Sequence, residues 1–127
     1  MGNGTSIGRV RGLGAAHSGA HHWLAIRYTA IGSLVLTVWF LVSLLLLPSF
    51  SYDAVRDWIV RPVPATAMAL LVLVNVWHAR QGLQVVIEDY VHEHANKFAV
   101  ITALNLIAFA SAAFGLFCVV RLALGGA

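Results

Sequence analysis

Three long runs without a charged residue constrain this chain more than any other feature of its sequence. They cover residues 28–52, 62–79 and 98–120. A membrane-spanning helix needs about 20 mostly apolar residues, so each run is long enough to cross a bilayer. The composition, with 60% hydrophobic and only 10% charged residues, also departs from that of a soluble domain. The sequence therefore predicts an all-α membrane protein with three transmembrane helices.

The charged and polar residues between these runs set the expected boundaries. The predicted ranges are 1–22 for a flexible basic arm rich in glycine, 23–47, 64–90 and 98–122 for the helices, and 48–63 and 91–97 for the loops. Pro62 and Pro64 suit the first turn of the second helix, where a missing amide proton costs little. The short second loop makes the last two helices antiparallel neighbours. Small residues along the third helix, with Gly115 among them, favour close approach of another helix.

The distribution of charge limits the classes of partner. A formal net charge of +3 is spread over both ends and both loops, so we expect membrane lipid and no nucleic acid as a partner. Cys118 is the single cysteine, which excludes an intrachain disulfide and a cysteine metal cluster. Positive residues are nearly balanced between the two sides. If Arg27 and Arg80 extend toward the arm side, the N-terminus is cytoplasmic.

One face of the second helix carries residues that suit chemistry. His78 and Asp89 are 11 residues apart, which is about three turns and roughly 16 Å of rise, so they share a face. Gly82 lies on that face as well, where a missing side chain lets a large planar group approach the backbone. Asp89 and Tyr90 then lie near the membrane boundary, where a proton donor meets both water and lipid-soluble molecules. Asp89 alternatively caps the third helix, positions Tyr90 or pairs with a cation.

His78 has two interpretations, because an ionisable side chain at mid-depth in a bilayer needs a partner. The first is a hydrogen bond to a neighbouring helix, and the second is axial ligation of haem iron by the imidazole. The other histidines all lie near one membrane edge: His17, His21, His22, His92 and His94. A second ligand at the depth of His78 must therefore come from another chain or from a symmetry mate.

Three further side chains leave alternatives open. Arg27, inside the first helix, is either an interfacial anchor or the counter-charge of a haem propionate. His21 and His22 either line an entry path for protons or are simply interfacial polar residues. Arg80 is about 160° around the helix from His78, so it faces elsewhere and pairs with Glu88 or with a partner subunit.

Two motifs carry a resemblance to a known family. HARQGLQVVIEDY contains His78, ten further residues and then Asp89-Tyr90, while HHWLAIRYTA contains His21 followed at six residues by Arg27-Tyr28-Thr29-Ala30. In both patterns, and over essentially its whole length, the chain resembles the smaller of the hydrophobic membrane anchors of bacterial succinate dehydrogenase, respiratory complex II.

The resemblance implies a role for each motif residue. His78 would be one axial ligand of haem b and the cytochrome b anchor subunit would supply the other. Tyr90 would hydrogen-bond ubiquinone with Asp89 beside it, and Arg27 and His21 would lie near the haem propionates.

The resemblance also implies partners and a location. A flavoprotein subunit and an iron-sulfur subunit would complete the complex in the bacterial inner membrane, and this chain would perform no succinate chemistry itself. Alternatives are a fumarate reductase-type anchor and a small oligomeric membrane transport protein.

Overall fold

Four helices make up the part of the chain that the structure describes. A computed structural model describes residues 19–125, so nearly all of the basic arm, with His17, lies outside the described residues. The helices are α1 (Gly19–Leu45), α2 (Tyr52–Ile59), α3 (Pro62–Tyr90) and α4 (His94–Ala123). Three of them, α1, α3 and α4, are long and apolar enough to cross a membrane. The predicted fold class, all-α with three transmembrane helices, is confirmed.

The long helices extend beyond the apolar runs that define them in the sequence. They contain 27, 29 and 30 residues, and 30 residues rise about 45 Å, which exceeds the roughly 30 Å of a bilayer's hydrocarbon. Their polar ends therefore reach the headgroup layers. Pro62 occupies the first turn of α3. Glu93 is the N-cap residue of α4, so Asp89 does not cap that helix. Only residues 91–93 connect α3 to α4.

A short helix, α2, occupies part of the segment that the sequence analysis treats as a loop. Ser51 starts it by accepting a hydrogen bond from the backbone N–H of Ala54 at 3.3 Å, a usual way to satisfy a free amide at a helix start. Trp58 stacks on Trp39 of α1 with 5.8 Å between the ring centroids. Ile59 is buried while the acidic and basic side chains are exposed, so α2 is amphipathic and lies across one end of the long helices.

The central element is α3. Both α1 and α4 pack against it, and no Cα atom of α1 lies within 8 Å of one in α4. Only four residues in the described range are buried, namely Ile59, Leu71, Gln81 and Val119. Most apolar side chains therefore face outward, as expected for a chain covered by lipid and by other membrane subunits.

At Gly115, α4 approaches α3 closely. A Cβ atom at this position would be 2.7 Å from Cγ1 of Val72 on α3, nearer than carbon atoms normally approach. The valine has little freedom to move away, since a β-branched side chain in a helix has one strongly preferred rotamer. Gly115 thus performs the role predicted for the small residues of the third helix.

We expect Gly115→Ala to weaken the packing of α4 on α3. The added methyl group overlaps Val72, and overpacking of this kind costs about 1–3 kcal/mol. Thermal unfolding of the detergent-solubilised protein measures the effect as a lower Tm.

Gly32→Ala is the matched control for this prediction. An added Cβ there would be 3.5 Å from Val74, an ordinary contact, and alanine gains up to about 1 kcal/mol in helix propensity. An unchanged or raised Tm for Gly115→Ala would contradict the close approach.

Candidate functional site

A row of polar side chains joins α1 to α3 in the middle of the bundle. Thr29 and Ser33 are one turn apart on α1, and Asn75, His78 and Gln81 are spaced by three residues on α3. Residues three and four apart lie on the same side of a helix. The hydroxyl of Ser33 donates to the Asn75 side chain, and Thr29 contacts both His78 and Gln81. The two helices are therefore antiparallel and in register at this row.

The hydroxyl of Thr29 is the centre of this row. Its Oγ1 atom lies 3.1 Å from Nδ1 of His78 and 3.0 Å from Oε1 of Gln81. Within its own helix it lies 2.9 Å from the carbonyl oxygen of Ala25 and 3.0 Å from that of Ile26. Gln81 is 3% exposed and is the only buried polar residue in the described range. The contact between Thr29 and His78 also confirms that the histidine forms an interhelical hydrogen bond.

His78 keeps its second ring nitrogen for another partner. It lies 16 residues after Pro62 and 12 before Tyr90, about 24 Å and 18 Å along the axis and so close to mid-depth. Because Nδ1 is engaged by Thr29, Nε2 is the nitrogen available for ligation. No group of three or more His, Cys, Asp or Glu side chains between residues 19 and 125 is arranged to hold a metal ion. The donor set is thus a single imidazole, which fits one axial position of haem iron.

Gly82, one turn beyond His78, leaves the adjacent surface of α3 open. A Cβ atom added there would meet nothing within 4 Å. Glycine inside a helix costs about 1 kcal/mol relative to alanine, and no neighbour in the described chain requires it. An available imidazole nitrogen beside a bare stretch of backbone fits the edge of a flat macrocycle such as haem.

The end of α3 presents Asp89 and Tyr90 at the surface. Tyr90 is 80% exposed and Asp89 is also exposed. Lys97 of α4 fixes the preceding turn by donating from Nζ to the backbone carbonyl of Glu88 at 3.2 Å. The start of α1, with His21, belongs to the same end of the bundle because α1 and α3 are antiparallel. The structure gathers these side chains at one membrane edge, and no hydrogen bond joins His21, Asp89 and Tyr90 in the described range.

Arg27 lies apart from the polar row. It precedes Thr29 by two residues, which places it about 200° around α1. Its guanidinium carbon is 4.0 Å from the centroid of the Trp23 ring, a cation–π contact, and the side chain is exposed. This contact suits an anchor at the headgroup layer. The alternative role beside a haem propionate stays a prediction.

Arg80 faces α4 and not the side of α3 that carries His78. Its Nε donates to Oδ1 of Asn105 at 2.7 Å, and its guanidinium carbon is 5.4 Å from the centroid of the Trp77 ring. The expected direction away from His78 is therefore confirmed. Of the two predicted partners, Glu88 and a partner subunit, Glu88 does not pair with Arg80: the arginine contacts Asn105, and Glu88 accepts a hydrogen bond from Nε2 of Gln84 at 2.8 Å.

Sequence reasoning included Thr29 in a family motif without giving it a role, and it missed Gln81 and the Ser33–Asn75 pair as parts of the site. The signal was present in the spacing of three between the polar residues of α3 and of four between those of α1. Each residue alone resembles an ordinary polar residue of a helix. Only the register between α1 and α3 brings them together.

Comparison with known proteins gives one consistent result. The family described as succinate dehydrogenase/fumarate reductase transmembrane subunit matches residues 1–112. A protein of Rickettsia bellii is 32% identical over 100 residues, covering 79% of this chain and 80% of its own length. A protein of Paracoccus denitrificans is 31% identical over 116 residues, covering 91% and 89%. Both are called succinate dehydrogenase hydrophobic membrane anchor subunit.

Proposed function

The chain belongs to the succinate dehydrogenase/fumarate reductase transmembrane subunit family, and we propose that it holds one axial ligand of a haem b and one side of a ubiquinone site. Its three apolar helices fit a multi-pass membrane anchor in bacteria. In this proposal a flavoprotein subunit oxidises succinate, and an iron-sulfur subunit carries the electrons to ubiquinone at the membrane surface. The chain itself contributes side chains to the membrane part of that route.

The observation that carries the haem role is the engagement of Nδ1 of His78 by Thr29. A histidine that ligates a metal commonly uses its other ring nitrogen to hydrogen-bond a nearby group. Here that arrangement leaves Nε2 available, and the bare backbone at Gly82 lies one turn away. When bound, haem b supplies a one-electron redox centre inside the bilayer.

The second axial ligand is assigned to the cytochrome b anchor subunit. The histidines His21, His22, His92 and His94 lie at the membrane edge with the start of α1 and the end of α3. His78 is about 18 Å from that end. Because this chain places one histidine at mid-depth, a haem with two histidine ligands would be shared between two subunits.

Tyr90 and Asp89 form this chain's side of the ubiquinone site. The phenol is exposed at the end of α3, where a lipid-soluble quinone meets the membrane surface. Quinone reduction takes two electrons and two protons, and a phenol can polarise a carbonyl or relay a proton. Asp89, adjacent in sequence and exposed, connects this edge to water.

Arg27 and His21 are assigned to the haem propionates. Thr29 contacts His78 and therefore marks the level of His78 along α1. Compared with Thr29, Arg27 lies about 3 Å closer to the arm-side end of the helix and His21 about 12 Å closer. Arg27 and His21 would be the groups on α1 that hold propionates directed toward this edge, with Arg27 supplying a positive charge. A permanent cation within a spanning helix is expected to meet an anionic partner.

The two alternatives differ in what supports them. A small oligomeric transport protein has no support from the comparisons, which name respiratory anchor subunits. A fumarate reductase-type anchor has the same architecture and differs in its direction of catalysis and its quinone. The b-type absorption spectrum of the purified complex separates an anchor that holds haem from a transport protein, which would be colourless.

The central prediction is that His78→Ala removes the low-spin b-type spectrum of the assembled complex. The substitution removes one of the two imidazole ligands, so haem retained through the partner's histidine alone has an altered spectrum. Absorption spectroscopy on complex of checked subunit composition is the measurement. His92→Ala, at an exposed position in the turn after α3, is the matched control. A spectrum identical to that of the parent would rule out His78 as the ligand.

Tyr90→Phe is expected to lower quinone reduction without affecting succinate oxidation by an upstream artificial acceptor. The change keeps the ring and removes only the hydroxyl. Loss of that hydrogen bond costs roughly 1–3 kcal/mol, or about 5- to 150-fold in rate. Tyr52→Phe, exposed on α2 at the opposite membrane edge, is the control. Equal losses in both assays would indicate failed assembly, and no loss in either would remove Tyr90 from the site.

Arg27→Leu is expected to lower the midpoint potential of the haem, because a positive charge near the propionates disfavours the ferric state. For a charge about 10 Å away at an effective dielectric constant near 20, the effect is roughly 1–2 kcal/mol. Redox titration of the complex measures it, and Arg27→Lys should preserve most of the parent value. If potential and haem content both match the parent, Arg27 is an interfacial anchor on Trp23.

A further inference from the structure

The Thr29 hydroxyl has one proton and four groups within hydrogen-bond distance. Three of these groups only accept: the carbonyl oxygens of Ala25 and Ile26 and Oε1 of Gln81, at 2.9 to 3.0 Å. The fourth is Nδ1 of His78 at 3.1 Å, which donates or accepts according to the tautomer of the ring. The position of the hydroxyl proton therefore determines which tautomer suits the site.

With Oε1 of the Gln81 amide directed at Thr29, only one tautomer of His78 satisfies both contacts. If Nδ1 accepted, the hydroxyl proton would point to the ring, and Oε1 of the buried Gln81 would face the lone pairs of Oγ1 at 3.0 Å. A buried acceptor that faces lone pairs and receives no proton is unfavourable. If Nδ1 donates, the hydroxyl is free to donate to Gln81. The result is a chain of hydrogen bonds from the ring N–H to the hydroxyl to the amide oxygen.

We propose that Thr29 is a positioning residue that holds His78 in its Nδ1–H tautomer, so that the Nε2 lone pair is directed to haem iron. The inference rests on the proposed haem role of His78. A neutral imidazole carries its proton on one nitrogen only, so a ring protonated at Nδ1 is ready to ligate through Nε2. The hydrogen bond also fixes the ring plane and raises the basicity of the ligand.

The surroundings of Thr29 prevent it from moving away from the ring. One turn along α1, Ser33 hydrogen-bonds Asn75. Between these two hydroxyl residues, Gly32 is close enough to α3 that a Cβ atom would be 3.5 Å from Val74. The polar row thus locks the register of the helices, and the hydroxyl keeps a fixed position relative to His78.

The decisive comparison is between Thr29→Val and Thr29→Ser in the assembled complex. Valine keeps the shape and removes the hydroxyl, while serine keeps the hydroxyl and removes the methyl group. The readouts are the low-spin ferric haem signal by electron paramagnetic resonance, the midpoint potential, and the rate of haem transfer to excess apomyoglobin. Thr66→Val is the matched control, because the Thr66 hydroxyl bonds only the carbonyl of Pro62 within its own helix, at 2.8 Å.

Thr29→Val is expected to broaden or shift the low-spin signal and to raise the potential, since a less basic ligand stabilises ferric iron less well. Haem loss should be about 10- to 100-fold faster, the usual effect of removing a group that orients a metal ligand. Thr29→Ser should behave like the parent, as should Thr66→Val. If Thr29→Val does not assemble, Thr29→Ala makes the same comparison with serine.

Two results would overturn the inference. Valine and serine variants that behave alike would show that the methyl group or the backbone matters and the hydroxyl does not. A Thr29→Val complex with the parent's signal, potential and haem retention would exclude a positioning role. Failure of the haem role itself is separate, because His78→Ala would then leave the spectrum unchanged, whatever the Thr29 variants show.

Discussion

Hydrocarbon offers no hydrogen-bond partners, and the arrangement of this bundle depends on that constraint. Every polar side chain placed at mid-depth must find a partner within the protein or on a bound molecule. Thr29, Gln81, Ser33 and Asn75 meet this need with one another across α1 and α3. His78 meets it with one nitrogen only, and that incomplete satisfaction distinguishes it from the rest of the row.

The two faces of α3 are joined to their neighbours by different means. Toward α1 the contact is directional, because hydrogen bonds fix both the distance and the register. Toward α4 the contact depends on shape, with Gly115 allowing Val72 to approach its backbone. Arg80 and Asn105 add one polar contact on that side, within an otherwise apolar groove. This division leaves the surface of α3 at Gly82 free of the side chains that pack α3 against α4.

The sequence predicts the three spans because the charges cluster and leave uninterrupted apolar runs. This pattern can be recognised without knowing any contact between helices. It places Pro62 in the first turn of α3 for a similarly local reason. The helix α2 is not evident, since eight residues offer too short a pattern to separate from a loop. The polar row is not evident either, because residues 29 and 78 become neighbours only through the register of two antiparallel helices. His78, Asp89 and Tyr90 could be selected by spacing along one helix, whereas Thr29 required the second helix.

The short connection between α3 and α4 has a consequence for biosynthesis. Three extended residues span about 10 Å, roughly the diameter of one helix, so these two helices cannot separate in the plane of the membrane. They form a hairpin as soon as both have been inserted. The first helix is connected through residues 46–61 and α2, and it must reach α3 by lateral association after insertion. Contact between α3 and α4 therefore follows directly from their insertion, whereas the hydrogen bond between Thr29 and His78 forms only when α1 docks on α3.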